Sequence, residues 1–442
     1  MDSLHLTREL LRALADGTRD PGDLVSLVMA HLFDLCPTCC GEFEAFQAEA
    51  SAGEATSYTS AFQRVKERVE AAEPRVSQEK RAAGSRLEEL MALPQSERLE
   101  AVRQAPAAYR GPALVALLLK ASRDNFHGKP QQARQLAELA RAVLLHSEAS
   151  SLTTELYAQA LAYAGNAIRV AGDPRTALER FEHCRFLLRT VGGGDRLVRA
   201  EVDALEASLY QALRRHEGAK KLLHRAVTTY LMLDNLSEAA RALLKLSAVL
   251  FEAGDPEESL RVLDRIADLI DAESEPQIYL YRQHARAICL CETGDPQEAA
   301  RILEASRDLY ARLGDPLSLL RVAWVEGKIA RGLGELEEAE FHLLTARHGF
   351  QKEDIAYDAA LVSLELAELY LEQRRTGEVK ELAGEMVQEF LRQDVSREAT
   401  AALMLFQDAA MLERVTAALI GDLATYLVQV RRDPTHAFQI AS

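Results

Sequence analysis

From residue 112 onward, apolar residues recur at the helical period in runs that are broken at regular intervals by a glycine or a short polar turn. The pattern is most regular over Ser247–Val379, where Gly254-Asp255-Pro256, Gly294-Asp295-Pro296 and Gly334-Glu335-Leu336 stand 40 residues apart. Seven residues before each glycine lies a small side chain (Ser247, Ala287, Gly327), and five after it another (Ser259, Ala299, Ala339). A three-point register held over three units predicts a tandem array, each unit a pair of antiparallel helices.

The turn chemistry supports a hairpin at each break. Glycine takes the left-handed conformation that ends a helix, Asp255 and Asp295 suit the N-cap of the next, and Pro256 and Pro296 fit its first turn, where no amide donor is needed. The small residues mark a close approach of the two helices. Less regular copies precede these units: Ala121 with Gly128 and Ala133, Gly165 with Gly172 and Ala177, and Ala207 with Ala219. In that last copy Arg214 fills the glycine slot, which suggests a turn displaced to Glu217-Gly218; the unit around Ala367 turns at Arg374-Arg375-Thr376-Gly377.

The small residue on the first helix, the Gly-Asp turn and the alanine early on the second helix together resemble the tetratricopeptide repeat. The family's usual unit is about 34 residues, so the longer unit here requires longer helices or longer loops. The resemblance implies an all-α fold, a right-handed α-α superhelix of seven hairpins over residues 112–396, closed by an atypical capping pair with a tail at 397–442.

Residues 1–48 read as a separate small helical unit, with His31, Cys36, Cys39 and Cys40 near its end. Cys-x-x-Cys beside a histidine is zinc-ligand spacing, and the segment resembles the zinc-binding anti-sigma-factor domain. That likeness implies Zn2+ as a cofactor held by His31, Cys36 and Cys39, with His5 or Cys40 as a fourth ligand. Four residues separate His31 from Cys36 where the family usually has three, so the helix must end before Cys36; otherwise the cysteines are packing residues of a copy without metal. Residues 49–111 read as a linker and helical spacer, starting with the small and polar run Ser51–Thr59.

Composition narrows the function classes. A formal charge of −16 argues against direct binding of nucleic acid or of an anionic membrane. Six cysteines in 442 residues, without a signal segment at the start, point to the cytoplasm. Gly192-Gly193-Gly194 has neither a preceding strand nor a following Lys-Ser/Thr, so it reads as a loop and not as a phosphate cradle. No catalytic constellation stands out, and the chain is expected not to be an enzyme.

The tetratricopeptide resemblance also implies a concave face lined by first-helix residues on either side of the small position. Those positions hold Arg241, Tyr281, His284, Arg321, Trp324, Lys328 and Arg331, a cationic and aromatic set in an acidic chain. Such a set fits a protein partner or an acidic peptide, bound through charge-assisted hydrogen bonds and an aromatic anchor. An equally physical reading pairs these cations with acids on adjacent helices and packs Trp324 between repeats. The expected function is a non-catalytic protein-binding scaffold. The alternatives are an anti-sigma-type transcription regulator that holds a sigma factor and senses through its repeats, or a regulatory subunit of a separate enzyme.

Overall fold

Helices of 17 residues joined by three-residue turns account for the 40-residue period. The computed structural model describes residues 77–126, 129–146, 150–191, 195–393 and 397–431, and all regular structure among them is helical. The helices are α1 (77–92), α2 (Arg98–Gln104), α3 (Pro112–Asp124), α4 (Pro130–Leu144), α5 (Ser151–Val170), α6 (Pro174–Thr190), α7 (Arg196–Ala212), α8 (His216–Met232), α9 (Leu236–Glu252), α10 (Pro256–Ile266) and α11 (Pro276–Glu292). They continue with α12 (Pro296–Ala305), α13 (Arg307–Leu313), α14 (Pro316–Leu333), α15 (Leu336–Lys352), α16 (Ala356–Glu372), α17 (Thr376–Arg392), α18 (Arg397–Met411) and α19 (Ala417–Val430). The extra length over the common repeat therefore lies mostly in the helices, except after the short α10, where residues 267–275 are non-helical. One second helix is broken into α12 and α13 at Ser306, whose hydroxyl bonds back to the carbonyl of Ile302 at 2.8 Å.

The hairpin turns share one geometry. Gly254 (φ 86°), Gly294 (φ 83°) and Gly334 (φ 80°) are left-handed, and the next amide reaches back five residues, as in Asp255 to the carbonyl of Leu250 at 3.0 Å. This is the paired-bond helix stop that favours glycine. Arg214 and Arg374 (each φ 57°) occupy the same slot, with Arg215 and Arg375 donating to Tyr210 and Tyr370. The turn expected at Glu217-Gly218 is thus corrected: it lies at Arg214, in register with the others, and Gly218 is inside α8. A Cβ on Gly218 would come within 2.5 Å of the Tyr210 ring, so this glycine serves helix contact.

Small residues permit the close helix approach. The Ser259 hydroxyl donates to the carbonyl of Ser247 at 2.9 Å, so two small positions touch directly. A Cβ on Gly327 would sit 2.7 Å from Leu343 Cγ. Asp255, Asp295 and Asp315 cap α10, α12 and α14 through the amides of Glu258, Glu298 and Ser318.

Contacts divide the chain into two compact units, the boundary running within α7 and α8. The first takes the chain up to Ala171 with Arg175–Leu209 and His224–Asn235; the second takes Gly172–Pro174, Tyr210–Leu223 and everything from Leu236 on. In the second, Phe350, Phe390 and Phe406 are buried between successive helices, and α19 packs against both α16 and α18. The expected front unit at 1–48, with its ligand set of His31, Cys36 and Cys39, and the linker before residue 77 lie outside the described residues, as does Gly192-Gly193-Gly194.

Candidate functional site

The second unit brings most of the proposed inner-face residues together. Tyr281 and His284 lie one turn apart on α11, and Arg321, Trp324, Lys328 and Arg331 follow along one side of α14. Arg241, on α9, lies 3.7 Å from Glu238 and 3.8 Å from Glu275.

The cations of α14 differ in what they touch. Lys328 donates to Glu365 at 2.8 Å and lies 2.9 Å from Glu292, so one ammonium is clamped between the helix before and the helix after. Its burial would depress the ammonium pKa, but the two carboxylates outweigh it and raise it above the ordinary lysine value. Arg331 donates to Glu368 at 2.6 Å and to Glu372 at 3.2 Å, and lies 3.7 Å from Glu365. Two cations thus face four carboxylates. This end of the face is acidic, contrary to a reading that counts only the basic residues.

At the N-terminal end of α14 the balance reverses. Arg321 is 45% exposed, and its nearest carboxylate oxygen is Oδ2 of Asp358 at 4.0 Å. The other oxygen of Asp358 accepts from Arg431, at the end of α19. Asp358 is only 5% exposed, and its Oδ2 has no hydrogen-bond donor among the described residues. Trp324 packs edge-on against Phe350 with centroids 6.1 Å apart, and its buried indole N–H likewise finds no acceptor there. Tyr281, on α11, is 49% exposed.

His284 accepts or donates a 3.0 Å bond between Nδ1 and the Tyr310 hydroxyl. Burial first, and then the Arg321 charge, depress its pKa to about 4 from the ordinary 6.5, so the ring is neutral at pH 7. The unfolded chain therefore binds a proton between pH 6.5 and 4 that the folded one does not, and stability falls as pH falls through that window. Wild type is expected to lose about 1 to 2 kcal/mol more than His284→Gln between pH 7 and pH 5, read as the difference in urea midpoints. Equal losses would mean that the ring titrates normally.

The first unit carries its own polar row. Glu201 accepts from Gln159 at 2.7 Å and from Tyr163 at 2.6 Å, with Arg123 3.4 Å away, and Arg169 donates to buried Asn166 at 2.9 Å. Deeper, Arg185 and Arg225 share the buried Asp203, and Arg185 also holds Glu206. Sequence reasoning passed over the acidic partners Glu201, Glu365, Glu372 and Asp358, and over Arg431. Among the described residues no cluster of histidine, cysteine and carboxylate groups fits a metal, and no helix is long and apolar enough to cross a membrane.

No family model matches the chain, nor does any curated protein sequence. Several solved structures share the fold. A Rap protein complexed with competence and sporulation factor superposes with a TM-score of 0.56 at 12% identity, over 72% of this chain and 88% of that one. The apo form of RapI gives 0.52 at 14% identity, over 71% and 86%. Aspartyl phosphate phosphatase F from Bacillus subtilis gives 0.50 at 11%, over 89% and 95%. The fold is an all-helical tetratricopeptide-like solenoid.

Proposed function

We propose that the chain is a non-catalytic interaction protein that holds a peptide or a segment of a partner protein on the first-helix face of its second unit, with Tyr281, Arg321 and Trp324 as the anchors. One observation carries this reading: Arg321, 45% exposed and 4.0 Å from its nearest carboxylate oxygen, keeps donors toward solvent beside the half-buried Trp324 ring. Elsewhere on α14 the donors are spent on glutamates. The Rap structure solved in complex with competence and sporulation factor supports the reading as an instance of this fold in a complex.

The test is capture of partners from the source cytosol by wild type, by Arg321→Glu with Trp324→Ala, and by a control reversed at Arg301, which is 77% exposed. Anchor residues in a binding face typically cost 2 kcal/mol or more, so the double variant is expected to lose about thirtyfold or more in affinity. The control should keep every partner. Full retention by the double variant would move binding elsewhere. Lys328, although on the same face, is not a fair target for this test, because its ammonium holds two helices together.

Residues 1–48 support a separate proposal, zinc held by His31, Cys36 and Cys39. Protein purified without chelator is expected to carry about one zinc per chain, and Cys36→Ser to release it. Elemental analysis well below that value on reduced protein would overturn the site.

A further inference from the structure

The face just described is polarised along α14. Its N-terminal end carries two guanidinium groups, Arg321 and Arg431, around the one carboxylate of Asp358. Its C-terminal end carries Lys328 and Arg331 among Glu292, Glu365, Glu368 and Glu372. Ten residues of helix separate Arg321 from Arg331, a distance of about 15 Å. An extended chain covers that distance in about five residues.

Exposure shows which groups remain available. At the acidic end Glu372 is 48% and Glu292 42% exposed, so both retain lone pairs toward solvent while their inner oxygens hold the cations. At the other end Arg321 and Arg431 are 45% and 42% exposed. Asp358, more than nine-tenths buried between them, holds Arg431 through one oxygen and lies 4.0 Å from Arg321 with the other. An anion placed there would meet two guanidinium groups.

We infer that the occupant of this face is an extended segment of about five residues with a built-in charge direction: an acidic side chain at the Arg321 and Arg431 end, and a basic one at the Glu368 and Glu372 end. This rests on the reading that the face binds peptides, and it replaces a uniformly acidic ligand with a dipolar one. A wholly acidic peptide would set its far end against the surplus carboxylates. A wholly basic one would meet the two arginines.

The experiment is affinity selection of an N-acetylated, C-amidated random pentapeptide library on the immobilised full chain, with the bound peptides sequenced. Wild type is expected to enrich peptides with opposite charges at their two ends about tenfold over peptides with like charges at both. Arg321→Glu should erase the preference for the acidic end and spare that for the basic end; Glu368→Gln with Glu372→Gln should do the reverse. Circular dichroism melts on each variant separate these effects from unfolding. Enrichment led by uniformly acidic or uniformly basic peptides would overturn the charge direction while leaving a peptide-binding face. Absence of any enrichment with folded wild type would overturn both.

Discussion

Lys328→Glu is expected to destabilise the second unit by about 3 to 5 kcal/mol, because breaking a partly buried ion pair leaves its partners uncompensated and the new carboxylate adds repulsion. Lys328 is 21% exposed and its ammonium lies within 2.9 Å of both Glu292 and Glu365. The substitution would place three carboxylates in the space that one cation now neutralises. Lys328→Met should cost less, since it removes the cation without adding an anion. Urea unfolding at pH 7 measures both. An unchanged midpoint for Lys328→Glu would show that the ammonium is effectively in solvent, and the acidic balance of that end would need recounting.

Phe350→Ala should cost a similar amount, about 3 to 5 kcal/mol, by leaving a cavity in a fully enclosed site. Phe350 is 0% exposed and lies on α15, between the helices of its own hairpin and α16. Its ring also supports Trp324 edge-on. The expected outcome is therefore double: a lowered thermal midpoint, and weaker partner capture even at temperatures where the variant is folded. Phe350→Leu should recover most of the stability but less of the binding, because it fills volume without the ring contact. Partner capture equal to wild type in Phe350→Ala would separate Trp324 from the binding face.

The repeating fold was legible because its determinants are local. Ser247, Ala287 and Gly327, with the glycines after them, are required by close packing and by left-handed turns, and both needs show directly as residue type. Where the slot is filled by Arg214 or Arg374 the residue type no longer announces the geometry, and the glycines nearby, Gly218 and Gly377, misdirect; both sit inside helices. The helix length of 17 residues was implicit in the period but could not be apportioned between helix and loop from spacing alone.

The charge of the first-helix face was legible only in part. Basic residues at known register positions are conspicuous, whereas their acidic partners come from the next unit. Lys328 meets Glu365 and Arg331 meets Glu368, each 37 residues on, and Arg331 meets Glu372, 41 residues on. Gln211 reaches Glu252 at the same 41-residue offset. One period less three, or plus one, is thus the spacing at which neighbouring first helices exchange side chains, and opposite charges at that spacing were present to be found. The tie between Asp358 and Arg431 spans 73 residues and follows no such rule. It depends on α19 packing back onto α16, which no repeat pattern announces.

The three-residue turns also bear on how the second unit reaches its native state. Each hairpin closes over so few residues that its loop entropy is small, and its stop signal is set by backbone bonds formed within six residues. Pairing of neighbours can therefore start at any hairpin and spread in either direction, as expected for one-dimensional arrays. The seating of Arg431 against Asp358 is different in kind, since it requires α16, α18 and α19 to be in place first. Its formation is expected to close the assembly order, so that Arg431→Ala would speed unfolding while leaving the refolding rate nearly unchanged.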